Sequence, residues 1–124
     1  LNIKLININN AKNDCADFSF GNYDITEVVA RKCGDKGLSI GEKSKANLKN
    51  ILITESKIGV ASKDSSVTII DNIAMNKLEI CLSAYKKKKE FAGSKMRIKK
   101  FSCDNFYKKI HKDNLSDIFV ENEI

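Results

Sequence analysis

The chain has 124 residues, a formal net charge of +6 at pH 7, and hydrophobic side chains at 42% of its positions. This length fits one domain, and this composition is sufficient to fill a narrow core. No apolar run reaches the length of a membrane span or of a secretory h-region, and no nucleic-acid-binding motif is present.

The predicted elements are β-strands that repeat along the chain. Apolar residues at the first, fourth and sixth positions of a short segment recur from Ile3, Ile25, Leu48, Ile70 and Ile98, and the steps between these starting points are 22, 23, 22 and 28. Apolar and polar residues alternate, as in a strand with one buried face. Helical repeats are longer, at about 33 residues or more. The pattern therefore predicts an all-β solenoid of stacked coils.

A second apolar pair recurs at every twentieth position. It begins as Phe18 and Phe20 and returns in each of the next three coils. We expect these side chains to face the core, and we expect residues one such step apart to stack at the strand spacing of about 4.8 Å. The predicted core consists of Phe18, Phe20, Leu38, Ile40, Ile51, Ile53, Ile58, Val60, Leu78 and Ile80.

The glycines and cysteines have predicted structural roles. The six glycines lie at or beside predicted strand ends, where the corners of the coils need residues that tolerate positive φ. The four cysteines, Cys15, Cys33, Cys81 and Cys103, contain no Cys-x-x-Cys pair, so no metal site is expected. We favour structural thiols at these positions over a disulfide or a reactive thiol.

Two segments of the chain carry a resemblance to a known fold family. Gly37–Gly41 and Ile51–Val60, with Asn50 and Asn72 at equivalent places in adjacent coils, resemble the right-handed parallel β-helix proteins of the pectate-lyase-like superfamily. The resemblance extends over positions 1–103 and implies a right-handed, single-stranded parallel β-helix of about five coils, each of roughly 20–28 residues. It also implies a cell-surface or secreted location. The superfamily includes lyases, hydrolases, epimerases, adhesins and scaffolds, so the resemblance leaves open whether the protein is an enzyme.

The two ends of the chain differ. The repeat begins at Leu1 without the cap that a terminal coil normally needs, so we expect upstream coils of the same β-helix. The repeat weakens after Cys103, and we predict an irregular C-terminal cap over residues 104–124 that contains one short strand. Residues 1–124 are thus predicted to be a single β-helix domain, the C-terminal part of a longer one.

Positive charge is concentrated near the C-terminal coils. Residues 86–112 contain eleven basic residues and only two acidic ones, Glu90 and Asp104. This stretch predicts attraction of polyanions such as acidic polysaccharides. A second interpretation is a solvated surface that keeps an open β edge from pairing with other chains.

The twenty-residue step also predicts a cluster of candidate ligand-binding residues. It places Tyr23, Lys43 and Lys63 in one row and Asp24 and Asp64 in the next. Residues 84–91 account for the longest step in the repeat and form a longer loop on the same side. The pattern is consistent with ordinary turn residues, with glycan binding, or with catalysis by a lysine base or a carboxylate pair. The candidate residues are Asp24, Glu42, Lys43, Lys63, Asp64, Tyr85 and Lys86.

Two functions from different classes follow from these patterns. The first is interaction with an acidic or neutral polysaccharide along one flank of the solenoid, as a binding domain or as part of a lyase, hydrolase or epimerase. The second is a structural or adhesive scaffold without catalysis. A weaker third hypothesis is non-specific polyanion binding by residues 86–112, which high salt would abolish. None of the three requires a metal or a cofactor.

Overall fold

The computed structural model describes residues 1–124, and its regular structure consists of β-strands. It contains no helix with the length and apolar character needed to cross a membrane. The seven strands are β1 (Asn2–Ala11), β2 (Ala16–Phe18), β3 (Asn22–Ile40), β4 (Lys45–Lys63), β5 (Val67–Tyr85), β6 (Lys95–Lys112) and β7 (Asp117–Glu123).

All seven strands belong to one parallel sheet. Its order is β1-β3-β4-β5-β6-β7, and β2 pairs with the second part of β3. Because each long strand pairs in parallel with the next, the sheet winds into a solenoid of about six turns. Turn 1 consists of β1 and β2, and turns 2 to 6 consist of β3 to β7 in order. The predicted all-β parallel solenoid is confirmed, with about six turns in place of five.

The first apolar pattern determines the register of the stack. The side chains of one column are at most 2% exposed in turns 2 to 5. Burial of this aliphatic surface stabilises the fold by about 25 cal/mol for each Å² removed from water. Along this column, Ile3 pairs with Ile25, Ile25 with Leu48, Leu48 with Ile70, Ile70 with Ile98, and Ile98 with Val120.

The twenty-residue step is wrong as a stacking rule. Leu38 pairs with Val60, and Val60 pairs with Leu82, so partners in this column are twenty-two positions apart. A strand alternates its two faces, so a shift of two positions keeps apolar side chains inward and produces the misleading step. Phe20 is 65% exposed rather than part of the core, and Phe18, Ile58 and Ile80 are only partly buried.

The coils turn one of their corners through residues with positive φ, and none of these residues is a glycine. Lys32, Glu55 and Lys77 stack at this corner in turns 2 to 4, with φ of 56°, 57° and 64°. Asn10 and Asn105 continue the column in turns 1 and 5. A left-handed conformation costs a non-glycine residue on the order of 1 kcal/mol, which the surrounding hydrogen-bonded stack must offset. The prediction that glycines supply the positive φ at the corners is wrong, although Gly21, Gly41 and Gly93 do lie in connections between strands.

Two glycines lie in the core instead. Gly37 and Gly59 are buried at neighbouring positions of turns 2 and 3. A Cβ on Gly37 would lie 2.8 Å from the Ile53 side chain, and a Cβ on Gly59 would lie 2.5 Å from the carbonyl oxygen of Cys81. There is therefore no room here for a side chain, because the Ile53 side chain and the backbone of the following turn occupy the space that a Cβ would need.

The four cysteines form two disulfides, Cys15–Cys33 and Cys81–Cys103, and no thiol is free. The favoured prediction of structural thiols is therefore wrong. Cys15 and Cys81 occupy the two ends of the column that contains the core glycines. One bridge joins turns 1 and 2, and the other joins turns 4 and 5, so each disulfide crosslinks consecutive turns.

The C-terminal residues continue the repeat. β6 extends to Lys112, and β7 adds a short sixth turn that pairs with it. The irregular cap predicted for residues 104–124 is therefore wrong, whereas the short strand within that segment is present. Buried serines precede the last four strands and are at most 1% exposed: Ser44, Ser66, Ser94 and Ser116.

Candidate functional site

The longest connection between strands runs from β5 to β6, and we call residues 86–94 the lysine loop. It begins with four consecutive lysines, Lys86 to Lys89. The loop packs against the short connections of the neighbouring turns. Together with those connections it forms one corner of the solenoid, the lysine corner, made of residues 19–20, 42–43, 63–65 and 86–94.

A buried carboxylate anchors the start of the lysine loop. Asp64 is fully buried, and its Oδ1 accepts hydrogen bonds from the backbone N–H groups of Lys87, at 2.7 Å, and Lys88, at 2.9 Å. Hydrogen bonds to an ionised acceptor are stronger than neutral ones. Its second oxygen, Oδ2, is buried without a partner. Asp64 therefore anchors the loop through its backbone and leaves the ammonium groups of Lys87 and Lys88 free for other contacts.

Two further contacts hold the ends of the loop. Ser65 and Ala92 exchange two hydrogen bonds, of 3.0 and 2.7 Å, between adjacent turns. Asp113 accepts a 2.7 Å hydrogen bond from the backbone N–H of Lys86. Desolvation would raise the pKa of Asp113, but this N–H and other donors outweigh it and lower the pKa from its ordinary value. The loop is thus fixed at its beginning and at its end.

An ion pair lies on the outer side of the loop. The Nζ of Lys88 lies 3.1 Å from Oε1 of Glu42. The Ser19 hydroxyl, Lys88 and, more weakly, Lys63 lower the pKa of Glu42, and burial opposes them. Glu42 in turn raises the pKa of Lys88. Both groups are therefore ionised near neutral pH.

Two aromatic rings flank the lysines. The ring centroids of Phe20 and Phe91 are 6.2 Å apart, and the planes are inclined by 55°. The Nζ of Lys43 lies 6.0 Å from the centre of the Phe91 ring, at the outer limit of a cation–π contact. Because Phe20 remains mostly exposed, the lysine corner presents an aromatic surface beside its positive charges.

The sheet face next to the lysine corner is closed by larger side chains. Lys36 donates a 2.8 Å hydrogen bond to Asp35. Desolvation would lower the pKa of Lys36, but the Asp35 hydrogen bond and the nearby Tyr85 and Asp14 outweigh it, so its pKa is raised. Burial raises the pKa of Tyr85 as well. Between these residues lies a column of small side chains that are at most 1% exposed, consisting of Ser39, Ala61 and Ser83.

Most of the residues predicted to bind a ligand lie near one corner of the solenoid, but not in the predicted rows. Lys63 pairs with Tyr85, whereas the N–H of Lys43 donates to the carbonyl oxygen of Asp64, so the two lysines do not share a row. Asp24 lies in another column, where it accepts a 3.0 Å hydrogen bond from Asn47. The predicted residues that lie in or beside the lysine corner are Glu42, Lys43, Lys63, Asp64, Tyr85 and Lys86.

Sequence reasoning missed the aromatic component of this corner. The twenty-residue step predicts that Phe20 lies in the core, and it gives no reason to choose Phe91 or Lys88 as site residues. The position of Phe20 at this corner could nevertheless have been inferred from the sequence, because a step of twenty-two positions places it next to Glu42. The structure has this contact, a 2.8 Å hydrogen bond from the Phe20 N–H to the Glu42 carbonyl oxygen.

The basic residues of 86–112 divide into two groups. One group lies in the lysine loop, and the other lies on β6, where Lys95, Lys99 and Lys100 are exposed. Of the loop lysines, only Lys88 forms an ion pair. Both groups place positive charge beside an exposed aromatic ring, since Arg97 on β6 lies 5.2 Å from the centre of the Phe119 ring, which is 52% exposed. The loop differs by presenting four consecutive lysines.

The lysine corner is an exposed surface rather than a cleft. The largest groove, of about 810 Å³, lies at another corner of the solenoid, between Glu55, Lys77 and Tyr107.

Comparison of the chain with protein-family models, with curated proteins and with solved structures returned no match.

Proposed function

We propose that the lysine corner binds an acidic polysaccharide. The observation that supports this function is the anchoring of a four-lysine loop by the buried Asp64 beside the exposed ring of Phe20. A pyranose ring can pack on the aromatic face, and its acidic groups can pair with the ammonium groups. The resemblance to the pectate-lyase-like superfamily, in which carbohydrate ligands are common, favours the same class of ligand.

Preorganisation supports binding at the lysine loop, although its backbone is irregular. Ordering a mobile loop on binding reduces affinity, and the lysine loop is already held by Asp64, Ser65 and Asp113. Its side chains keep their charges available, since Lys86, Lys87 and Lys89 form no ion pair.

The test compares two triple variants with the same loss of charge. We expect Lys86→Gln/Lys87→Gln/Lys89→Gln to weaken binding of polygalacturonate and dextran sulfate by about tenfold, from three exposed charge contacts of about 0.5 kcal/mol each. The control, Lys95→Gln/Lys99→Gln/Lys100→Gln, should weaken binding much less. Phe20→Ala should weaken it without any change of charge. Isothermal titration calorimetry at about 50 and about 150 mM salt measures these affinities.

Two outcomes would contradict the proposal. Equal losses in both triple variants would indicate non-specific attraction of polyanions. Absence of binding by the wild-type protein at both salt concentrations would favour a structural or adhesive scaffold. Neutral dextran, titrated in the same way, measures the part of the binding affinity that does not depend on charge.

A further inference from the structure

Glu42 is the carboxylate that engages a lysine side chain at the lysine corner. Its Oε1 lies 3.1 Å from the Nζ of Lys88, and its side chain is 14% exposed. Lys63 is close enough to lower the pKa of Glu42, and the Ser19 hydroxyl has a larger effect in the same direction. The protein therefore already holds one carboxylate in a setting formed by two ammonium groups and a hydroxyl.

The side chain of Lys88 can leave this contact without disturbing the loop. Asp64 holds Lys88 through the backbone N–H and not through the ammonium group. The Lys88 side chain is 49% exposed, so a new partner can reach its ammonium group from solvent. Ion pairs near the surface contribute little to stability, and Glu42 keeps the Ser19 hydroxyl and Lys63 beside it when Lys88 leaves, so exchange of one anion for another at Lys88 costs little.

We propose that Glu42 is an internal competitor that occupies the anion position of the lysine corner. An acidic group of the polysaccharide takes the place of the Glu42 carboxylate at Lys88. Glu42 therefore lowers the affinity of the corner for polysaccharide. It also favours ligands whose charge density is high enough to displace it. This inference rests on the proposed function, because it describes the regulation of the same site.

The decisive variant is Glu42→Gln, which removes the competing charge and keeps the size and polarity of the side chain. We expect it to bind dextran sulfate roughly two- to fivefold more tightly than the wild type, the range that corresponds to release of an exposed ion pair. Dextran sulfate is the probe because its sulfate groups are strong acids that remain fully ionised near neutral pH.

The matched control is Glu90→Gln, which removes the same charge from the lysine loop itself. Glu90 is exposed and forms no ion pair, so its variant measures the general effect of added positive charge. Lys88→Gln completes a double-mutant cycle. In the wild-type background, Lys88→Gln should change the affinity for dextran sulfate less than twofold. In the Glu42→Gln background, it should remove the increase in affinity that Glu42→Gln produces.

The outcomes separate this inference from the proposed function. A gain in Glu42→Gln that exceeds the gain in Glu90→Gln and disappears without Lys88 supports the competitor role. If the wild type binds dextran sulfate and the two glutamate variants gain equally, the competitor role is wrong and the binding function stands. If neither the wild type nor Glu42→Gln binds, both are wrong. Melting temperatures of all variants show whether each remains folded.

Discussion

At the scale of single residues, the narrow core decides which side chains each position accepts. Gly59 is buried in the core, where a Cβ would meet the carbonyl oxygen of Cys81 in the next turn at 2.5 Å. Gly41 lies between β3 and β4, where the nearest atom to a Cβ would be the Phe18 carbonyl oxygen at 3.4 Å, an ordinary contact. Neither glycine has a positive φ, so they differ in the space around them and not in backbone strain.

Gly59→Ala should therefore destabilise the protein, whereas Gly41→Ala should not. We expect a loss of about 2 kcal/mol at Gly59, because an added methyl group forces the backbone of the next turn to move. At Gly41 we expect no loss, or a gain of about 0.5 kcal/mol from reduced freedom of the unfolded chain. Urea denaturation followed by circular dichroism measures both. Equal effects of the two substitutions would contradict the steric interpretation of the core glycines.

The sequence predicted the inward aliphatic residues well and the glycines poorly. Ile25 and Leu48 follow a local alternation that any strand with one buried face must show. Gly37 and Gly59 could not be assigned in this way, since glycine meets two different needs, a positive φ or a close approach of two backbones. Only the position of the neighbouring turn distinguishes these needs.

At the scale of elements, the lysine loop shows how an irregular segment is held by the regular ones. Its existence and its side of the solenoid could be predicted, because the longest step of the repeat places additional residues between two strands. Its conformation could not be predicted, since it depends on acceptors from other turns, namely Asp64, Ser65 and Asp113. None of these residues is near the start of the loop in sequence, and only the stacking of turns brings them to it.

Asp64→Ala should release the loop from the corner. We expect a loss of about 3 kcal/mol, because two backbone N–H groups lose a charged acceptor. We also expect faster cleavage by trypsin at Lys86 to Lys89, since a released loop fits a protease more readily. Denaturation and mass spectrometry of limited digests measure the two effects.

The control for this substitution is Asp17→Ala, which removes an exposed carboxylate from β2. It should change neither stability nor the rate of cleavage at the loop. If Asp64→Ala lowers stability but leaves the cleavage rate unchanged, Asp64 stabilises the turn that contains it and does not anchor the loop.

At the scale of the whole molecule, stability comes from contacts between consecutive turns. A solenoid of this kind is held by nearest-neighbour interfaces, so its terminal turns are the first to open. The two disulfides lie near the two ends, joining turns 1 and 2 and turns 4 and 5. The middle of the stack, which contains the two core glycines, is held without a disulfide, by the hydrogen bonds between paired strands and by packing.

Reduction of the disulfides should lower the stability of the stack. The bridged cysteines are separated by 18 and 22 positions in sequence, and closing loops of this size is worth about 3 kcal/mol each. We expect a lower urea midpoint for the reduced protein and for Cys81→Ala/Cys103→Ala. Thiol titration of the unfolded, unreduced protein should detect no free thiol. Four free thiols in protein folded under oxidising conditions would contradict the pairing.

Local periodicity is sufficient to predict that the chain forms β-strands, which face of each strand is buried, and the length of most turns. The register, the disulfide pairs and the exposure of Phe20 at the lysine corner became known only from the fold. Periodicity cannot establish them because a shift of two positions keeps every apolar side chain on the inner face of its strand. Such a shift is decided by contacts between residues of different turns, including the narrow core at Gly59 and the anchor at Asp64.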